Sequence, residues 1–118
     1  MNIELIVVPR TDHITHVKLV GRLDMLAMKT VDVRFHGETA ARDQSTIVDL
    51  SQLEFITSLG IGMLFGCAKS LRRKNRTMVL LGCTGFVDSA LRTVGVHEVI
   101  PLASTMEEAL GMARDAGS

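Results

Sequence analysis

Between Ser45 and Arg73 the chain reads STIVDLSQLEFITSLGIGMLFGCAKSLRR, and no other stretch restricts the fold as much. Thr46–Leu50 is a short apolar run with Ile47 and Val48 at its centre, the pattern of a buried strand. A brief polar connection follows. From Ser58 the apolar residues Ile61, Leu64, Phe65, Ala68 and Leu71 recur at helical spacing. Arg72, Arg73 and Lys74 then place positive charge where a helix C-terminus favours it. A strand that delivers Thr57, Ser58, Gly60 and Gly62 to a helix N-terminus builds a place where negative charge is favoured. The unpaired amides of the first turn and the helix dipole both point there. Such a segment suits a switch better than a catalyst.

The flanking sequence sets the fold class. Ile3–Val8 and Ile14–Val20 are β-branched runs separated by Pro9, Arg10, Thr11 and Asp12, which predicts an antiparallel pair ended by Gly21. Leu26–Arg42 is predicted as a helix that Asp24 can cap. Met78–Leu81 is a wholly apolar strand suited to burial on both faces. Thr84 is placed to cap a helix carrying Phe86, Val87, Ala90, Leu91 and Val94, with Gly95 as its stop. Val99 and Ile100 are predicted as a last strand, and Ser104 with Glu107 as the capping box of a final helix. From Thr46 onward strands and helices alternate, which implies crossovers onto a largely parallel sheet. The expectation is α/β: one domain over residues 1–118, a mostly parallel central sheet with an antiparallel N-terminal strand pair, and about four helices.

Composition removes several classes of function. Lys and Arg together number 13, as do Asp and Glu, so no overall field favours nucleic acid or an anionic membrane. There is no Trp or Tyr to build a base-stacking platform. Met1–Arg10 carries Glu4 and Pro9 where a leader would need an apolar core, and no run is long enough to span a membrane. Cys67 and Cys83 lie far apart among apolar neighbours and are expected to be unbridged, structural thiols. A cytoplasmic location follows as an expectation.

Four chemical readings of the motif residues compete. Gly60, Gly62 and Gly66 spell GxGxxxG rather than the dinucleotide fingerprint, and no Gly-Lys-Ser/Thr follows for a phosphate loop. Ser58-Leu59-Gly60 supplies half of a hydrolase elbow, but Ile56 stands where that sharp turn needs glycine. His97 with Asp88 or Asp115 would have to serve as base and orienter, and nothing in the sequence brings them together. His13 and His16 are three apart at a turn and strand, and His36 and His97 are isolated, so no metal site is expected. Cofactors are expected to be none. Thr57 or Ser58 can serve as a plain helix cap, worth about 1 kcal/mol. Two glycines in the first turns weaken a helix by up to about 1 kcal/mol each, so they suggest a surface that another molecule approaches closely.

The residues Val48-Asp49-Leu50, Phe55, Ser58, Gly60, Gly62 and Leu64 resemble, in register, the central motif of STAS-domain anti-sigma-factor antagonists. Gly21-Arg22-Leu23-Asp24 is similar to that family's Gly-x-Leu-Asp turn, and Glu108-Ala109-Leu110 to its last helix. The resemblance covers nearly the whole chain. It implies a non-enzymatic partner switch without a catalytic residue, which binds an anti-sigma factor that is itself a serine kinase. That kinase would phosphorylate Ser58, and a PP2C-like phosphatase would restore it. The implied partner-binding residues are Asp24, Thr57, Ser58, Leu59 and Gly60. Thr57 replaces a frequent Asp and becomes a second candidate acceptor; Leu59 replaces a small residue. The alternatives are a STAS interaction subunit of another signalling or transport complex that is never phosphorylated, and a small serine hydrolase using Ser58.

Overall fold

The computed structural model describes residues 3–9 and 12–116, with side chains through residue 114. Arg10 and Thr11 of the predicted turn and the Asp115 side chain lie outside the described residues. The elements are β1 (Ile3–Val8), β2 (Thr15–Leu23), α1 (Met25–Glu38), β3 (Thr46–Ile56), α2 (Ser58–Arg73), β4 (Met78–Leu81), α3 (Gly85–Thr93), β5 (Leu102–Ala103) and α4 (Met106–Ala116). A 3-10 turn at Val96–Glu98 precedes β5.

The sheet order is β1-β2-β3-β4-β5. β1 pairs antiparallel with β2, from Ile3 opposite Gly21 to Val8 opposite His16, and every other pairing is parallel. α1, α2 and α3 cover one face through Val31, Phe35, Leu64, Leu71, Val87 and Leu91, which join Leu19, Val48, Leu50 and Leu80 in the larger core. α4 covers the other face alone. Its Ala109 and Ala113 lie against Ile14, Ile47, Val79 and Leu81. β4 is buried throughout, as expected of a strand covered on both sides.

Four boundaries differ from the sequence expectation, each for a physical reason. β2 does not stop at Gly21: a register shift there and a φ of 111° form a bulge, and the strand continues to a fully buried Leu23. β3 runs past Leu50 through the supposed polar connection to Ile56, because the extended half of β2 pairs with it. Its exposed Ser51, Gln52 and Glu54 alternate with buried Leu53 and Ile56, so polarity there marks a half-solvated strand rather than a loop. α1 starts one residue early and ends at Glu38, where the Thr39 amide and hydroxyl both donate to the Phe35 carbonyl at 3.0 and 2.7 Å. Val99 and Ile100 are not a strand. Gly95, at φ 79°, opens the 3-10 turn, and the amides of both residues are taken by the Val96 carbonyl, so sheet pairing resumes only at Leu102.

Both helix caps after β4 differ in detail from the sequence expectation. Thr84 is the N-cap of α3 by position but makes no side-chain capping bond. The box of α4 is shifted by one residue. Thr105 Oγ1 accepts from the Glu108 amide at 3.1 Å, and the Glu108 carboxylate accepts from the Ser104 and Thr105 amides at 2.8 and 3.2 Å.

Candidate functional site

Parallel pairing of β2 and β3 sets Leu23 beside Ile56, and the Thr57 amide donates to the Leu23 carbonyl at 3.1 Å. The next residue of each strand is a helix cap. Asp24 and Thr57 therefore open α1 and α2 side by side at one end of the sheet. Asp24 Oδ1 accepts from the Ala27 amide at 2.9 Å, and Thr57 Oγ1 accepts from the Gly60 amide at 3.2 Å, both from extended backbone. Thr57, not Ser58, is the cap of α2.

Ser58 is the first helical residue of α2, is exposed, and makes no hydrogen bond through its hydroxyl among the described residues. The Ile61 amide bonds the Thr57 carbonyl and the Gly60 amide bonds the Thr57 hydroxyl. The amides of Ser58 and Leu59 are thus the two first-turn donors left without a partner inside the helix. No acidic residue stands in this first turn. A dianionic group on Ser58 would meet open amides and the positive end of the dipole. Leu59, 51% exposed, presents an apolar surface beside it.

Gly60 has a different role from the one its sequence position suggested. It is buried, and a Cβ there would lie 2.8 Å from Ile56 Cγ1 and 2.9 Å from Leu23 Cδ2. Both neighbours are themselves buried, so little room exists for them to yield. The absent side chain lets α2 seat on the strand ends; it does not face outward to admit a partner. Gly62 is the open glycine, with nothing within 4 Å of where its Cβ would be.

A groove of about 520 Å³ runs from Ser58 and Leu59 between α1 and α2 to His36, past Met25, Met28 and Lys29. The α1 residues on it escaped the sequence reading. Met25, Met28, Lys29, Asp32 and His36 do recur at helical intervals, but only the packing of α1 against α2 shows that this stripe faces Ser58. His36 is not isolated. Its Nδ1 lies 3.3 Å from Cys67 Sγ on α2 and its Nε2 3.5 Å from Asp32 Oδ1. Burial raises the Cys67 thiol pKa. Burial, with the Asp88 charge second, pushes the half-buried Cys83 up to about 11. Neither cysteine is bridged.

A second cluster at this end was also missed. The Arg22 guanidinium carbon sits 4.6 Å over the Phe55 ring, which stacks on Phe86 at 5.2 Å and 13°. Among the described residues the hydrolase constellation is not assembled: the Asp88 carboxylate is held by Arg92 at 3.1 Å, and no hydrogen bond joins Ser58, His97 or Asp88. Among the described residues no three His, Cys, Asp or Glu side chains are arranged to hold a metal ion. Nor is any helix there long and apolar enough to cross a membrane.

The family model for the STAS domain matches residues 6–109. The chain belongs to the STAS-domain family. The match takes in every element from within β1 to the first turn of α4 and includes the whole Asp24–Ser58 corner. Among relatives, this STAS chain is 25% identical over 112 residues to an anti-sigma-B factor antagonist of Listeria monocytogenes, covering 94% of this chain and 97% of that one. Its fold is similar to an anti-sigma factor antagonist from Mycobacterium paratuberculosis, with TM-score 0.84, 22% identity and coverage of 96% and 95%. It is also similar to the anti-sigma factor antagonist SpoIIAA in its unphosphorylated form, with TM-score 0.77, 20% identity and coverage of 95% and 97%. The two structural likenesses establish the shared α/β architecture of five strands and four helices.

Proposed function

We propose that this STAS domain is an anti-sigma-factor antagonist that switches partners through phosphorylation of Ser58. Its partner is an anti-sigma factor with serine kinase activity, a PP2C-like phosphatase resets it, and the chain itself catalyses nothing. The observation that carries this reading is the unbonded, exposed Ser58 hydroxyl at the start of α2, flanked by open amides and by Leu59. The names of the Listeria and Mycobacterium relatives support the same reading.

The switch needs little more than electrostatics. Phosphorylation adds a charge of about −1.5 to −2. The helix N-terminus accommodates that charge within its own fold. A partner seated on Leu59 and reaching Asp24 across the corner meets it as bulk and as a charge to be desolvated. A loss of about 3 kcal/mol lowers affinity more than a hundredfold. Thr57 is the weaker acceptor, because its hydroxyl is engaged by the Gly60 amide and is partly covered.

Incubation with the cognate anti-sigma factor and ATP, followed by mass spectrometry, tests the assignment. One phosphate on Ser58 and none on the Ser58→Ala variant is the expected result. Phosphate on Thr57 would transfer the role to the cap. Tight binding without any phosphate would leave a STAS interaction subunit that is not switched in this way.

A further inference from the structure

Towards the opposite end of α2, about 15–21 Å along the helix from Ser58 at about 1.5 Å per residue, lies a second cavity of about 490 Å³. Its walls are Ala68 of α2, Met78 of β4, Ile100 and Pro101, and Met112 of α4. Arg72 and Arg76 also line it, and among the described residues no carboxylate does. The size falls within the roughly 300–1,000 Å³ of small-molecule sites, and so does the balance of an apolar body with few polar groups.

A basic run borders this cavity, although the chain as a whole is neutral. Arg72-Arg73-Lys74-Asn75-Arg76 concentrates four cations in five residues. Arg72 donates to the Val99 carbonyl at 3.0 Å and is engaged by no carboxylate among the described residues. Arg76 pairs with the exposed Asp43 through Nε at 3.1 Å, a class of pair worth about 0–1 kcal/mol. A helix C-terminus ordinarily repels anions. Here two of its last carbonyls are occupied: Leu71 accepts from the Lys74 and Arg76 amides, and Arg72 from Asn75.

We infer that this cavity binds an amphipathic monocarboxylate, its alkyl chain between Met78, Ile100 and Met112 and its carboxylate on Arg72 and Arg76. Guanidinium favours a carboxylate because its donors form a planar fork. The site is independent of Ser58, sharing none of the residues of the α1–α2 groove.

Titration of the full chain with dodecanoate below its micelle concentration, read by amide NMR and calorimetry, tests this. Saturable one-to-one binding is expected, with shifts at Thr77, Met78, Ile100 and Met112 and none at Ser58 or Leu59. The surface double variant Arg72→Gln/Arg76→Gln should bind roughly tenfold more weakly or worse, as should the wild type with neutral dodecanol. Equal affinity for dodecanol, an unaffected double variant, or shifts confined to the Ser58 end would each overturn the assignment. So would capture by phosphatidylglycerol vesicles without binding of monomeric dodecanoate, which would make the basic cluster a membrane contact.

Discussion

α1 and α2 start at neighbouring strand ends, in the same direction and with the same capping geometry, yet their caps differ in charge. Asp24 brings a carboxylate to the positive end of α1, whereas Thr57 gives α2 a neutral hydroxyl. Both satisfy one amide, and only one supplies the anion that a helix N-terminus favours. The difference teaches where an added phosphate is cheap. At α1 it would crowd an existing carboxylate; at α2 it would fill an electrostatic gap that the fold leaves open.

The largest effect expected comes from closing the space under α2. Gly60→Ala should lower stability by about 1–2 kcal/mol, the overlap with Leu23 and Ile56 outweighing the gain in helix propensity. Urea unfolding measures it; a stability equal to or above the wild type would mean that the strand ends yield. Next come the caps themselves. Asp24→Ala and Thr57→Ala should each cost about 1 kcal/mol. Exchanging their charges sharpens the contrast: Thr57→Asp should stabilise by about 0.3–1 kcal/mol and Asp24→Asn destabilise by a similar amount. Both effects should shrink in high salt, and shifts of the same sign would sink the comparison.

Ser58→Ala should change stability by no more than about 0.5 kcal/mol, since the hydroxyl makes no bond, while abolishing phosphate uptake. A cost near that of Thr57→Ala would identify Ser58 as a cap after all.

The smallest effect lies where the helices meet again, at His36 and Cys67. Cys67 should label slowly in the native protein and Cys83 somewhat faster, in keeping with their burial. The thiolate is the reactive form, so the Cys83 rate should keep rising from pH 9 towards about 11 rather than level off at the ordinary thiol range. Because the folded thiol holds its proton longer than the unfolded one, the stability linked to Cys83 should decline across that window.

What could be read from the chain alone follows from how local the cause is. The start of α2 at Ser58 was legible because apolar spacing, small residues and hydroxyls all lie within one segment. The second half of β3 was not, since its strand character depends on a bulge at Gly21, more than thirty residues earlier. Gly60 shows the limit most clearly. A glycine admits close approach from any side, and only Leu23, brought in by β2, decides that the approach is from within. The α1 wall of the groove was hidden for the same reason: its stripe is ordinary until α2 is laid against it.

The two margins of the sheet are unequal. β5 closes one side with only two residues, Leu102 and Ala103, and a ladder that short is a poor template for another strand. β1 closes the other with six, where exposed Glu4 and Ile6 alternate with the buried Ile3 and Leu5. β1 therefore offers strand addition a longer margin than β5 does. A charge at Glu4 then guards the chain against self-association at high concentration, and its replacement by an apolar residue would expose that margin to aggregation.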